Sequence, residues 1–147
     1  MKTFKGRPVV PGSARAEALV SRSGFNVLAS FQKSLLSKDK DATCSDQNNT
    51  DIYGKPMHAK ALCMPQTIGS TTGGMVLFTA ASLGQQPACL LFSKPIDSLA
   101  AAGAILSDVW TEAEMPTVDS LGDEFLQYVK TGMTVTVESD GTVHVEG

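Results

Sequence analysis

Charge, cysteine and histidine are all scarce in this 147-residue chain: 18% of residues are charged, with three cysteines and two histidines. Cys44, Cys63 and Cys89 are an odd number with no Cys-x-x-Cys pair, which argues against a disulfide framework and against a self-contained zinc site. Cys63 and Cys89 lie in apolar runs and read as buried, inert thiols, whereas Cys44 lies in the polar stretch 38–49 and reads as exposed. His58 and His144 are isolated from each other and from any cysteine or carboxylate cluster, so they read as surface residues rather than metal ligands. Basic residues are scattered, and a formal net charge of -3 opposes a nucleic-acid backbone. No apolar run approaches membrane-spanning length, and residues 1–12 carry Lys and Arg with no apolar stretch behind them. A cytoplasmic protein is expected. Repeats, low-complexity tracts and Pro-, Gly- or Ser-rich linkers are also missing, so residues 1–147 read as one domain.

What the chain does have is concentrated in Pro65-Gln66-Thr67-Ile68-Gly69-Ser70-Thr71-Thr72-Gly73-Gly74. The short apolar run 60–64 before it reads as a buried strand, and the run 75–83 after it continues at helical length to Gly84. The segment is therefore a loop that opens a helix. First-turn N–H groups lack intrahelical partners and carry partial positive charge, which suits a carboxylate or phosphate, and glycines let such a ligand approach. Capping accounts for a lone Ser or Thr. It does not account for three adjacent hydroxyl residues, Ser70, Thr71 and Thr72, between Gly69 and Gly73, so contact with a ligand is expected there. The loop matches neither a P-loop, which needs Lys directly before its Ser or Thr, nor a dinucleotide fingerprint, nor the Gly-x-Ser-x-Gly elbow of hydrolases.

Patterning predicts strands at residues 3–6 and 16–20, joined through Pro8, Pro11 and Gly12, and a partial helix over 24–36. A second buried strand is expected over 88–92, then a helix over 99–106 capped by Asp97 or Ser98. A strand around 115–118, a helix from Gly122 or Asp123 to Lys130, and a hairpin of 133–138 with 142–146 complete the chain. Helices between the middle strands imply parallel pairing, while both ends look antiparallel. The fold class is α/β, layered β/β/α, with the glycine-hydroxyl loop at the carboxyl edge of the parallel strands.

Four stretches carry a family resemblance: residues 4–12, Tyr53-Gly54, Gly69-Ser70-Thr71-Thr72-Gly73, and Asp97-Ser98-Leu99-Ala100-Ala101-Ala102-Gly103-Ala104. In that order they resemble the small subunit of aconitase X over nearly the whole chain. The resemblance implies a swivelling β/β/α domain, like the mobile fourth domain of aconitase, that closes over an active site on a larger subunit. It implies hydro-lyase activity on a small hydroxy acid, with an iron–sulfur cluster or iron held by the large subunit and no metal bound by this chain. It places the catalytic base on Ser70, with Gly69, Thr71, Thr72 and Gly73 as substrate contacts. A serine is a weak base, so helix-end amides around it, and a cation from the partner, would have to stabilise its alkoxide. Ordinary aconitases have an arginine where this chain has Thr72, which implies a smaller substrate than a tricarboxylate.

Within the family, stretches 23–26, 44–49 and 64–68 look like the bacterial group that dehydrates cis-3-hydroxy-L-proline to a pyrroline carboxylate. The alternative is the archaeal activity on mevalonate 5-phosphate. Two other classes stay open: a stand-alone anion-binding module, and a serine hydrolase that would need His58 or His144 beside Ser70.

Overall fold

The structure, a computed structural model, describes residues 1–69 and 71–147. Among these, ten strands and four helices are present. The strands are β1 (Lys2–Lys5), β2 (Arg7–Val10), β3 (Ala14–Val20), β4 (Phe25–Asn26), β5 (Ala61–Met64), β6 (Thr67–Ile68), β7 (Cys89–Phe92), β8 (Thr117–Asp119), β9 (Thr134–Val137) and β10 (Thr142–Glu146). The helices are α1 (Val27–Ser37), α2 (Gly73–Ser82), α3 (Ser98–Trp110) and α4 (Asp123–Tyr128).

Eight strands form one sheet in the order β1-β10-β9-β3-β5-β7-β8-β2. The middle pairs β3–β5, β5–β7 and β7–β8 are parallel, as the intervening helices require. The flanking pairs β1–β10, β10–β9, β3–β9 and β2–β8 are antiparallel. Strand β3 serves both halves: residues 14–17 pair with β9 and residues 18–20 with β5. The two outermost strands, β1 and β2, are separated in the chain only by Gly6. The sheet therefore curls until its two ends are joined covalently.

Alternation within the strands divides the interior in two. Leu62, Met64, Leu90 and Phe92 point into a core shared with α1, α2 and α3. Ala61, Cys63, Cys89 and Leu91 point into a second core, inside the curl, with Phe4, Phe125 and the valines of β9 and β10. Parallel strands buried on both faces read as continuous apolar runs, which is why residues 61–64 and 89–92 were legible as strands.

Three expectations are corrected. The amino-terminal region holds three strands rather than two, because Pro8 lies inside β2, where a missing N–H is tolerated on an outer strand. Helix α3 runs on to Trp110, four residues past the expected end. Cys44 is buried, with 1% of its surface exposed. Its N–H donates to the Lys55 carbonyl (2.9 Å), its own carbonyl accepts from Gly54 N–H (2.9 Å), and Asp46 and Asn49 fold the polar residues back on themselves, covering Cys44 together with Ile52 and Met57. A polar stretch thus encloses an apolar plug.

Candidate active site

The short ladder β4–β6 pairs Phe25 with Thr67 and Asn26 with Ile68, and so lays the glycine-hydroxyl loop against the start of α1. Gly69 follows with φ +99, a conformation that side chains rarely adopt, and a Cβ there would stand 2.7 Å from Asn26 Nδ2. Both the turn and the close approach require glycine at this point.

A pocket of about 110 Å³ opens beside the loop, its wall including Val27, Gly69, Thr71, Gly73, Asp97 and Ala100. The first turns of α1, α2 and α3 all reach it. Asn26 Oδ1 accepts from Ala29 N–H (3.0 Å) and caps α1. Asp97 caps α3 through Oδ2, which accepts from Ala100 N–H (2.9 Å), while its Oδ1 accepts a short hydrogen bond from the Thr67 hydroxyl. Helix α2 differs: Thr72 occupies its N-cap position without a side-chain capping bond, and the first bond of the helix is Val76 N–H to Thr72 carbonyl (3.1 Å). Among the described residues the amides of Gly73, Gly74 and Met75 precede that bond, and a helix end of this kind carries a positive field suited to an anion.

Of the residues the sequence singles out, Gly69, Thr71 and Gly73 line the pocket, and Thr72 stands exposed at the N-cap of α2. Ser70 lies outside the described residues. Gly74 also lines the pocket and has a second role: a Cβ on it would stand 2.4 Å from the Leu99 carbonyl oxygen, so its absence of side chain serves the packing of α2 on α3. Gly73 is less crowded, its nearest atom in such a test being Val27 Cβ at 3.6 Å. Asp97 and Thr67 were not foreseen as pocket residues. The signal in the sequence, an Asp before a helical run, announces a cap, and only the β4–β6 and α2–α3 contacts bring that cap to the loop.

Two residues needed for a hydrolase are engaged elsewhere. His58 Nδ1 bonds to the Gln86 carbonyl (2.9 Å), and His144 lies between the Thr3 hydroxyl (2.9 Å) and Glu138 (3.0 Å); neither lines the pocket. No cysteine lines it either. Burial pushes Cys63 well up from its ordinary range and Cys89 up to about 12, so both are held as neutral thiols in the core. Among the described residues no three His, Cys, Asp or Glu side chains come together, and this donor set does not fit an iron–sulfur cluster.

Residues 3–145 match the aconitase X swivel domain. The chain belongs to that family. The swivel domain is similar to the phosphomevalonate dehydratase small subunit of Methanocella arvoryzae, at 30% identity over 97% of this chain and 96% of that one. It is also similar to the subunit of the same name from Thermococcus kodakarensis, at 29% identity over 93% and 90% of the two chains. The crystal structure of Thermococcus kodakaraensis aconitase X in its holo-form has the same fold, with TM-score 0.82 at 30% identity and 100% of both chains covered. The mixed α/β swivel architecture expected from the sequence is therefore the architecture present. The relatives are subunits of dehydratases, and no helix of this swivel domain, among the described residues, is long and apolar enough to cross a membrane.

Proposed function

We propose that this chain is the small subunit of a cytoplasmic hydro-lyase and closes an active site whose remainder lies on an aconitase X large subunit. The observation that carries this reading is the half-built pocket. At about 110 Å³ it is smaller than the roughly 300 Å³ at which ligand sites begin, yet three helix ends converge on it. A second body supplies the missing walls. The iron–sulfur cluster or iron is assigned to that body, as the family resemblance implies; among the described residues the swivel domain brings together no donor set for it.

Ser70 is assigned as the base that takes the carbon-bound proton, with Gly69, Thr71, Thr72 and Gly73 as substrate contacts. The α2 end favours negative charge near the loop, as an alkoxide or a substrate carboxylate requires. Departure of the hydroxyl group falls to the large subunit's side of the site.

For the substrate, the names of the relatives support mevalonate 5-phosphate: the similarity spans more than nine-tenths of this chain in each case. A second reading, cis-3-hydroxy-L-proline, is favoured by Asp97. Asp97 lines the pocket, and no Lys or Arg does so among the described residues, an arrangement that suits a ring ammonium better than a phosphate dianion. The deciding experiment is to purify the chain with its native large subunit and compare turnover of both compounds under anaerobic, iron-replete conditions. Preference for mevalonate 5-phosphate supports the first reading and preference for hydroxyproline the second. Turnover of neither by an intact complex sinks both, and full activity of the isolated chain sinks the shared-site reading.

A further inference from the structure

Helices α2 and α3 together carry one charged residue, Asp108, in a chain that is 18% charged. The buried side of α3 is filled by Ala100, Gly103, Ala104 and Ser107, with Gly103 against α2. Its other side is apolar as well: Ile105 is 46% exposed, Leu106 38%, Val109 66% and Trp110 73%, and Met75 at the start of α2 is 60% exposed. Asp108 is the one exposed charge on α3, and a helix whose solvent side is otherwise this apolar marks an interaction surface. From Leu99 to Trp110 the stripe extends for about 17 Å along α3, at 1.5 Å per residue.

Its position says what covers it. Leu99 and Gly74, at the first turns of the same two helices, form part of the pocket wall, so a body that closes the pocket continues directly onto this face. Trp110, at the far end, is the kind of large side chain that anchors protein interfaces. We infer that the outer face of α2 and α3, from Met75 and Leu99 to Trp110, is the docking surface for the large subunit. The inference rests on the shared-site reading above.

The test measures binding of a separately purified aconitase X large subunit to the wild-type chain and to Leu106→Glu, Trp110→Ala and Lys130→Glu. Lys130 follows α4, which packs on the opposite core, and serves as the control. Leu106→Glu and Trp110→Ala are each expected to weaken binding by at least about tenfold, while Lys130→Glu leaves it unchanged. All three should keep the wild-type melting temperature, because the altered side chains are exposed. Equal binding by wild type, Leu106→Glu and Trp110→Ala would overturn the docking face and leave the hydro-lyase reading standing. Homodimers of the isolated chain that both substitutions disperse, with large-subunit binding unaffected, would assign the face to a second copy instead. Failure of the wild-type chain to bind the large subunit at all would remove both the shared site and this face.

Discussion

Gly74 and Gly103 meet at the crossing of α2 and α3 so closely that a Cβ on Gly103 would stand 2.4 Å from the Gly74 carbonyl oxygen. Backbone cannot yield as a flexible side-chain tip does. Gly74→Ala and Gly103→Ala are each expected to destabilise the domain by about 1–3 kcal/mol, read by urea denaturation. Gly73→Ala, with 3.6 Å to its nearest neighbour, should leave stability nearly intact. Any loss of turnover in Gly73→Ala would then report on ligand approach rather than on folding.

Ser70→Ala in the assembled enzyme is expected to lower the rate of the chemical step by at least roughly a hundredfold, with little change in substrate affinity or melting temperature. Single-turnover kinetics separates this from a capping role, which predicts a loss of about 1 kcal/mol in stability and near-normal chemistry.

Asp97→Ala removes the cap of α3 and should cost about 1 kcal/mol of stability. Asp97→Asn keeps an acceptor oxygen for capping and removes the charge from the pocket wall. If hydroxyproline is the substrate, Asp97→Asn should raise its KM. If mevalonate 5-phosphate is the substrate, losing the carboxylate should leave its KM unchanged or lower it.

Asp119 is fully buried, and its two oxygens accept from Arg7 Nε (2.9 Å) and Nη2 (2.6 Å), with Ile96 N–H also donating (2.7 Å). Burial works to raise its pKa, but Arg7, the Ile96 amide and Ser120 together hold it below the usual carboxylate value. A depressed folded pKa contributes stability above the ordinary Asp value of about 3.9, and that stability is lost as pH falls through the folded value. Arg7→Ala should therefore begin acid unfolding at a higher pH than wild type. A pH titration of the melting temperature checks this; coincident curves would show that the pair contributes nothing.

All three thiols should resist a neutral disulfide reagent at pH 8 in the native state and react once the chain is unfolded. Burial raises each of them, Cys44 included. Rapid labelling of Cys44 alone would restore its expected exposure.

The parallel centre was legible because β5 and β7 are buried on both faces and contain no polar residue to confuse their pattern. Cys44 was misplaced because composition reports polarity but not pairing: Asp46 Oδ1 accepts from the Asn48 N–H and Asn49 Nδ2 donates to the Ser21 hydroxyl, so both side chains turn inward instead of facing water. At the pocket, Gly69, Thr71 and Gly73 stood out by local sequence alone. Asp97 did not, since its place beside Thr67 depends on contacts across 30 positions of chain. The role of Gly74 was hidden for the same reason, because the partner that excludes its side chain is another helix.

The join at Gly6 also orders events in time. β1 pairs with β10 and β2 with β8, so residues 2–5 have no ladder partner until residues 142–145 exist, and residues 7–10 have none until residues 117–119 do. During synthesis residues 2–5 wait unpaired while the parallel centre assembles, and the curl locks only once β10 has been made. Losing residues 142–146 would thus strip β1 of its partner, making β1 and β10 a single late-closing unit.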